Sequence, residues 1–286
     1  MIPKIIHLIW ISYPKKLHEL PPIFQKIYEY NKSINSNFKY ILWTDENKHT
    51  NEYNIDQFIK KEYPYIYKIY EKTNLAVQKS DIARLAILHH YGGFYIDMDI
   101  LLLKNLDDLL DYDSDKFNFS YEPKEQTTYL WNSDKYICNA FFCCNKNNEI
   151  ITIMLNIIIQ IYNKYGDNVL TNFNVFGTNI FKLAIENSNN NLYNIIDTKL
   201  IYPINDIKLD NLKCSQDDIK KIKTGNYDNA YMVHYWIHSN FESKKLIYSF
   251  KYNDSLDIHT NIYNFYKELY PNNKTILYDN NYINYY

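Results

Sequence analysis

Glycine is scarce in this chain: there are 5 among 286 residues, and no glycine-rich loop of the kind that cradles phosphates is present. Cysteine is rarer still, limited to Cys138, Cys143, Cys144 and Cys214. Their spacing offers neither the paired C-x-x-C of a zinc site nor the density of a disulfide scaffold, which leaves buried thiols in a reducing compartment. Net charge is also lacking, at −2, so nothing marks nucleic acid as a partner. The longest apolar stretch, IITIMLNIIIQIY at 150–162, is interrupted by Asn156 and Gln160 and is too short to span a bilayer. No signal peptide is read, because IPKIIHLIW reads as a strand almost from the first residue. A soluble, cytoplasmic protein is expected, with docking to a membrane surface left open. No internal repeat or linker divides the chain, which favours one domain over 1–286.

What is present is ordinary in amount and unusual in kind. Hydrophobic content is 46% and charged content 22%, as in soluble globular proteins. Tyrosine is over-used, at 31 residues, and Asn, Ile and Lys are also plentiful. These residues share A/T-rich codons, so the bias follows genome composition, and the Asn clusters read as surface loops or tails.

The N-terminal order is β-α-β. KIIHLIWI (4–11) reads as a buried strand, PPIFQKIYEYNK (21–32) as a helix with Ile23, Ile27 and Tyr30 on one face, and FKYILWTD (38–45) as a second strand. Residues 55–72 read as helix divided at Pro64. TNLAVQKSDIARLAILHHYGG reads as a helix capped by Thr73 or Asn74 and stopped by glycine. Further strands are expected at 117–121, 136–143, 192–197 and within 229–240, with helices near 148–164, 177–187 and 260–270. This pattern is that of an α/β sheet.

GGFYIDMDILLL (92–103) spends two of the five glycines side by side and breaks an apolar run with two acids. On one continuous strand Asp97 and Asp99 share a face, with Cα atoms roughly 6–7 Å apart. Phe94, Ile96, Met98 and Ile100 then point the other way. Two like charges on a partly buried face need a cation, and a divalent metal supplies one while leaving positions for water and phosphate. A bare D-x-D is common by chance and is often just solvated. The capped helix, double glycine and buried strand leading into this pair, at the kind of strand end where α/β sheets bind ligands, favour a site. One helix upstream, Asp81 and Arg84 stand three apart and share a face. On their own they read more readily as an intrahelical ion pair than as a site.

Taken together, AVQKSDIARLAILHHYGGFYIDMDILLLKNL resembles the S-D-x-x-R … Y-G-G-x-Y-x-D-x-D signature of glycosyltransferase family 32. That is the DXD-containing, sugar-binding-region family that includes the yeast initiating mannosyltransferases. The segment is also similar to the glucosyltransferase domain of the large clostridial toxins. IPKIIHLIWIS and YILWTDEN look like the family's opening strands. The resemblance is carried mainly by residues 1–110; ICNAFF (137–142), FGTN (176–179) and VHYWIHSN (233–240) match more loosely.

The resemblance implies a GT-A-type α/β fold with a mixed, mostly parallel central sheet flanked by helices. Residues 1–110 would form its donor-binding core, and 111–286 the acceptor side and closing region. It implies a retaining transfer of a hexose from a nucleotide-sugar donor, a UDP-sugar ahead of GDP-mannose, to a glycan, glycolipid or protein. Asp97 would face the ribose and donor sugar, and Asp99 would ligate Mn²⁺ or Mg²⁺ held by the diphosphate. Trp10 matches a tryptophan that stacks on the base, Asp81 and Arg84 match contacts to donor sugar and phosphate, and Asn139 falls near the donor hexose. His234 is the third metal-ligand candidate and His238 a weaker one, although a lone His among Met232, Val233 and Trp236 is by default a satisfied core residue. Where the family shows Ser-Trp, this chain has Ser239-Asn240. His7 is expected to be structural, and aromatics of 121–131 could line the acceptor side.

Three rivals are weaker. A glycoside hydrolase needs carboxylates on opposite sides of a sugar, roughly 5–9.5 Å apart, and no opposing acid stands out. A metal-dependent nucleotidyltransferase favours a basic or glycine-rich phosphate loop. A non-catalytic relic that binds sugar nucleotides is opposed by the intact Asp81, Arg84, Asp97 and Asp99.

Overall fold

A computed structural model describes residues 1–11, 20–45, 53–172, 175–206, 215–237 and 244–269. The strands are β1 (Ile5–Trp10), β2 (Lys39–Thr44), β3 (Gly93–Ile96), β4 (Ile100–Leu102), β5 (Phe117–Tyr121), β6 (Ile137–Cys144), β7 (Tyr193–Ile195) and β8 (Met232–His234). The α-helices are α1 (Pro22–Ile34), α2 (Ile55–Glu62), α3 (Pro64–Tyr70), α4 (Ala76–Tyr91), α5 (Lys124–Trp131), α6 (Glu149–Tyr165), α7 (Thr178–Glu186), α8 (Thr198–Ile201), α9 (Ser215–Thr224), α10 (Lys244–Ser249) and α11 (Ile258–Leu269).

Six strands form the main sheet in the order β2-β1-β3-β6-β5-β7, and β4 and β8 form a separate pair. The β1–β2, β1–β3 and β5–β7 pairings are parallel; β6 runs antiparallel to both β3 and β5. The sheet is therefore mixed and largely parallel, as expected for a GT-A-like fold. Both faces are covered at the central strands β1, β3, β6 and β5, which is why these are apolar without a solvent-facing row. Ile6 and Leu8, Phe94 and Ile96, and Phe141 and Cys143 enter one core. Their neighbours Ile9, Tyr95, Phe142 and Cys144 enter the other, on the side of α4 and α6. Cys138, Cys143 and Cys144 are buried free thiols; Cys214 lies outside the described residues.

Helix α4 is buried on every side, with Gln78 through Leu88 inaccessible except for the half-exposed Ser80. A polar residue in such a helix cannot be a surface decoration and must be satisfied within the fold. Gln78 Nε2 donates to the Asn172 carbonyl (2.5 Å), and Lys79 Nζ to that of Tyr70 (2.9 Å). The expected cap is displaced: Leu75 holds the N-cap position without a side-chain bond. Thr73 instead turns its hydroxyl back to the Ile69 carbonyl, closing α3. The C-terminal stop is as expected. Gly92 has φ +66°, and Gly93, at φ +96°, lies so close to β1 that a Cβ would stand 2.5 Å from the Ile5 carbonyl oxygen. No side chain fits there, which accounts for the paired glycines.

The larger departure is at the acid pair. The main-sheet strand ends at Ile96, and 97–99 form a turn in which Ile100 N donates to the Asp97 carbonyl (3.1 Å). The chain then leaves the sheet and re-pairs as β4 with β8, setting Ile100 opposite His234. Asp97 and Asp99 thus do not share one continuous strand. The free edge of β4 is satisfied by a helix: Asn31 Nδ2 donates to the Ile100 carbonyl, and Asn31 Oδ1 accepts from Leu102 N, both at 2.7 Å. Because the side-chain amide serves as a partner strand for these two groups, an asparagine occupies the buried face of α1.

His7 has the structural role expected of it. Its Nδ1 accepts from Trp43 Nε1 (3.1 Å), so Nε2 carries the proton and donates to the Gly92 carbonyl (3.1 Å). Burial lowers its pKa from 6.5 to about 3. A folded pKa below the unfolded one gives stability that is fully present above pH 6.5 and lost as pH falls toward the folded value. Unfolding free energy is expected to drop by about 1.4 kcal/mol per pH unit from this residue alone. Denaturant titrations of parent and His7→Gln between about pH 4 and 6 should show a slope shallower by about one proton in the variant. Equal slopes would contradict the assignment.

Candidate metal and nucleotide-sugar site

Three structural events converge on one place: the end of β3, the C-terminal end of β8 and the middle of α4. Ligand-type atoms of Asp97, Asp99 and His234 all lie within 4.8 Å of one another. His234 Nε2 is 3.1 Å from Asp99 Oδ1, and Ile237 N donates to Asp99 Oδ2 (2.6 Å). The turn that brings Ile237 back passes through Trp236, whose φ of +53° is unusual for a bulky residue. The Trp236 ring lies 4.1 Å from that of His234. Strain of this kind persists where surrounding contacts enforce it.

Arg84 forms the other half. Its Nη2 is 3.2 Å from Asp81 Oδ1, its Nη1 is 3.6 Å from Asp97 Oδ1, and its guanidinium lies 4.6 Å from the centre of the Tyr95 ring. Nη1 also donates to the Asn139 carbonyl (2.7 Å) and Nη2 to Ser80 Oγ (3.1 Å). Asn139 Nδ2 in turn donates to Asp81 Oδ1 (2.9 Å). The Asp81–Arg84 pair is therefore not an exposed helix-surface pair: their side chains are 3% and 6% exposed. It ties α4 to β3 and β6.

The electrostatics follow from burial and neighbours. Burial pushes the Asp81 carboxyl up to about 6 against the pull of Arg84. Burial also raises Asp97; Arg84 opposes the rise and Asp99 adds to it. For His234 burial alone would favour the neutral ring, but Asp99 outweighs it and holds the imidazole protonated well above its usual range. Asp97, the most exposed of the set with a side chain 30% accessible, opens the cluster to solvent.

Two carboxylates and one imidazole, once that ring gives up its proton, form a donor set suited to a divalent metal ion, with hard oxygens supplemented by one nitrogen. The shared environment of these three residues, with their ligand atoms already converged, fits such an ion. Trp10 ends β1 with its ring edge-on to Phe24 at 5.6 Å. Its Nε1 is buried without a hydrogen-bond partner among the described residues. His238, Ser239 and Asn240 lie outside the described residues.

Several site residues had no role assigned from sequence. Tyr95 donates its hydroxyl to Asp97 Oδ1 (2.5 Å); it belongs to the Y-G-G-x-Y-x-D-x-D pattern, where its two-residue spacing from Asp97 was the available signal. Gly177 of FGTN approaches so closely that a Cβ would stand 3.1 Å from Asp81 Oδ2 and 3.7 Å from Asn139 Nδ2. Glu122, from the end of β5, interacts electrostatically with His234. Cys138 lies between His234 and Tyr202. No local pattern marks the last two; only the sheet order brings them in.

The fold and the acidic site together define a glycosyltransferase with a GT-A-like α/β fold. PaToxG glycosyltransferase, a solved structure, superimposes with a TM-score of 0.50 at 21% identity, covering 64% of this chain and 69% of that one. Residues 21–115 match the family model described as glycosyltransferase sugar-binding region containing DXD motif. Uncharacterized glycosyltransferase L373 of Acanthamoeba polyphaga mimivirus is 31% identical over 211 residues, 72% of this chain and 74% of that protein. The chain belongs to this family of DXD-containing glycosyltransferases. Fungal relatives include mannosyl phosphorylinositol ceramide synthase SUR1 of Saccharomyces cerevisiae, 36% identical over 110 residues. Inositol phosphoceramide mannosyltransferase 3 of Schizosaccharomyces pombe is 32% identical over 111 residues. These matches cover 38% and 39% of this chain but only 26% and 28% of the fungal enzymes' own length.

Proposed function

We propose that this chain is a metal-dependent, retaining glycosyltransferase of family 32 that moves a hexose from a nucleotide sugar to a glycan, glycolipid or protein. The observation that carries the reading is the convergence of Asp97, Asp99 and His234 beside the Arg84-centred network. In this reading residues 1–286 act as one GT-A domain. Trp10 offers its ring to the base, and Asp81, Arg84, Asp97 and Asn139 hold the donor sugar and diphosphate. Asp97, Asp99 and His234 hold the ion. When bound, Mn²⁺ or Mg²⁺ supplies Lewis-acid stabilisation of the nucleoside diphosphate as it leaves. Arg84 adds a positive charge fixed before the reaction begins, so none of its ordering cost falls in the transition state. Tyr95 and Arg84 together fix the Asp97 carboxylate, and the Ile237 amide fixes Asp99.

The broad resemblance favours a UDP-sugar; the names of the fungal relatives favour a mannose donor. Among the described residues no helix is long and apolar enough to cross a membrane. The proposed place of action is the cytoplasm or, peripherally, a membrane surface, the latter suiting a glycolipid acceptor.

A thermal-shift screen of UDP- and GDP-sugars, with and without Mn²⁺, tests the reading. One nucleotide class should stabilise the protein only when metal is present, by about 3 kcal/mol at a hundredfold excess over Kd. That corresponds to several degrees in Tm. No stabilisation by any nucleotide would overturn the assignment, whereas stabilisation without donor turnover would mark a binding-only relic.

A further inference from the structure

The donor-side residues leave one wall of the site without a function. It is formed by the end of β5, α5 and the start of β6. Glu122 follows β5 and accepts a hydrogen bond from Gln126 Nε2 at its Oε2 (3.0 Å), with the Trp131 side chain beside it. Gln126 is itself fixed, since its Oε1 accepts from Asp206 N (2.7 Å). The carboxyl group is thus aimed by a buried amide. The structure records no salt bridge to it among the described residues. Its electrostatic neighbours include His234 and Asp206.

Next to Glu122, the rings of Trp131 and Tyr136 stack at 4.8 Å with an interplanar angle of 15°. Both rings are only partly buried. Tyr136 Oη shares a hydrogen bond with Thr178 Oγ1 (2.6 Å). Thr178 follows Gly177, where a Cβ would stand 3.1 Å from Asp81 Oδ2 and 3.7 Å from Asn139 Nδ2. One end of this wall therefore reaches His234 and the other reaches the donor-sugar network.

Resting on the glycosyltransferase reading above, we infer that Glu122, Trp131 and Tyr136 form the acceptor subsite and that the acceptor's reacting end is a polyhydroxylated ring. A sugar or cyclitol ring offers an apolar face to an aromatic surface and hydroxyl donors to a carboxylate. The subsite presents both. A peptide or lipid chain would need neither the fixed carboxylate nor the flat stacked pair. Glu122 also supplies the acid absent from the sequence reading, on a different element from Asp97 and Asp99. Its role here is to bind and orient a hydroxyl, and Gln126 acts through it as a positioning residue.

The test is saturation-transfer NMR on the full chain with Mg²⁺ and whichever nucleotide stabilises it. The probes are methyl α-D-mannopyranoside, methyl α-D-glucopyranoside and myo-inositol. At least one should bind the parent saturably, and Glu122→Gln and Trp131→Ala should each weaken that binding about tenfold or more. The nucleotide-induced rise in Tm should persist in both variants. Should Trp131→Ala fail to fold, Glu122→Gln decides alone. Parental affinity in the folded variants, or no probe binding to a parent that does bind nucleotide, would overturn the subsite. Failure of nucleotide binding in the parent would instead strike the donor reading, so the two failures are separable.

Discussion

Replacing Asp99 by asparagine is expected to reduce metal-dependent donor turnover by about a thousandfold or more, on the scale of losing a preorganised electrostatic group. Asparagine is the informative substitution. Alanine would also strip the acceptor from Ile237 N, which donates to Asp99 Oδ2 at 2.6 Å, and an orphaned buried amide costs roughly 1–3 kcal/mol. Asparagine keeps an oxygen for that amide while removing the charge and the Oδ1 acceptor that faces His234 Nε2 (3.1 Å). The turn that returns Trp236 and Ile237 to the site should therefore survive while the metal site is lost. Donor hydrolysis and the Mn²⁺-dependence of the nucleotide-induced Tm shift read the two effects separately. Parental turnover with parental metal dependence would remove Asp99 from the ligand set.

Much of the candidate site was legible locally because half of it lies on consecutive elements. Asp81 and Arg84 fall three apart on α4, Gly92 and Gly93 turn that helix into β3, and Asp97 and Asp99 follow within seven residues. Helical period and glycine punctuation are local signals, and the fold preserves them. The break at 97–99 was not legible, because an apolar run with a period of two looks the same whether it stays in one sheet or crosses to another. Only the distant strand β8, paired through Ile100 and His234, reveals the crossing. The same reason hides Glu122 and Gly177. Each reaches the site through a contact between elements far apart in sequence, and no spacing rule encodes such contacts. His234 lay between these cases. Its apolar neighbours read as core, and it is indeed buried, but it is buried against a carboxylate.

Removing the Arg84 charge should cost stability as well as activity, and the two can be told apart. The guanidinium faces two carboxylates, those of Asp81 and Asp97, and also donates to Ser80 and the Asn139 carbonyl. Arg84→Met leaves both acids near one another without their cation. Breaking a buried pair in this way typically costs about 3–5 kcal/mol, so the midpoint of urea unfolding should fall markedly with an unchanged m-value. The double variant Asp81→Asn/Arg84→Met should recover part of that loss, because one stranded charge is gone. Neither variant should recover donor turnover, since the positive charge proposed to face the diphosphate is still missing. Arg84→Lys separates the roles further. It retains a charge but not the planar fork that spans Asp81, Asp97 and the Asn139 carbonyl. It should therefore lie near the parent in stability and well below it in kcat. If Arg84→Met unfolds at the parental urea concentration, Arg84 is not the cation that makes the buried Asp81 and the partly buried Asp97 tolerable side by side. The arrangement of α4 against β3 and β6 would then need another cause.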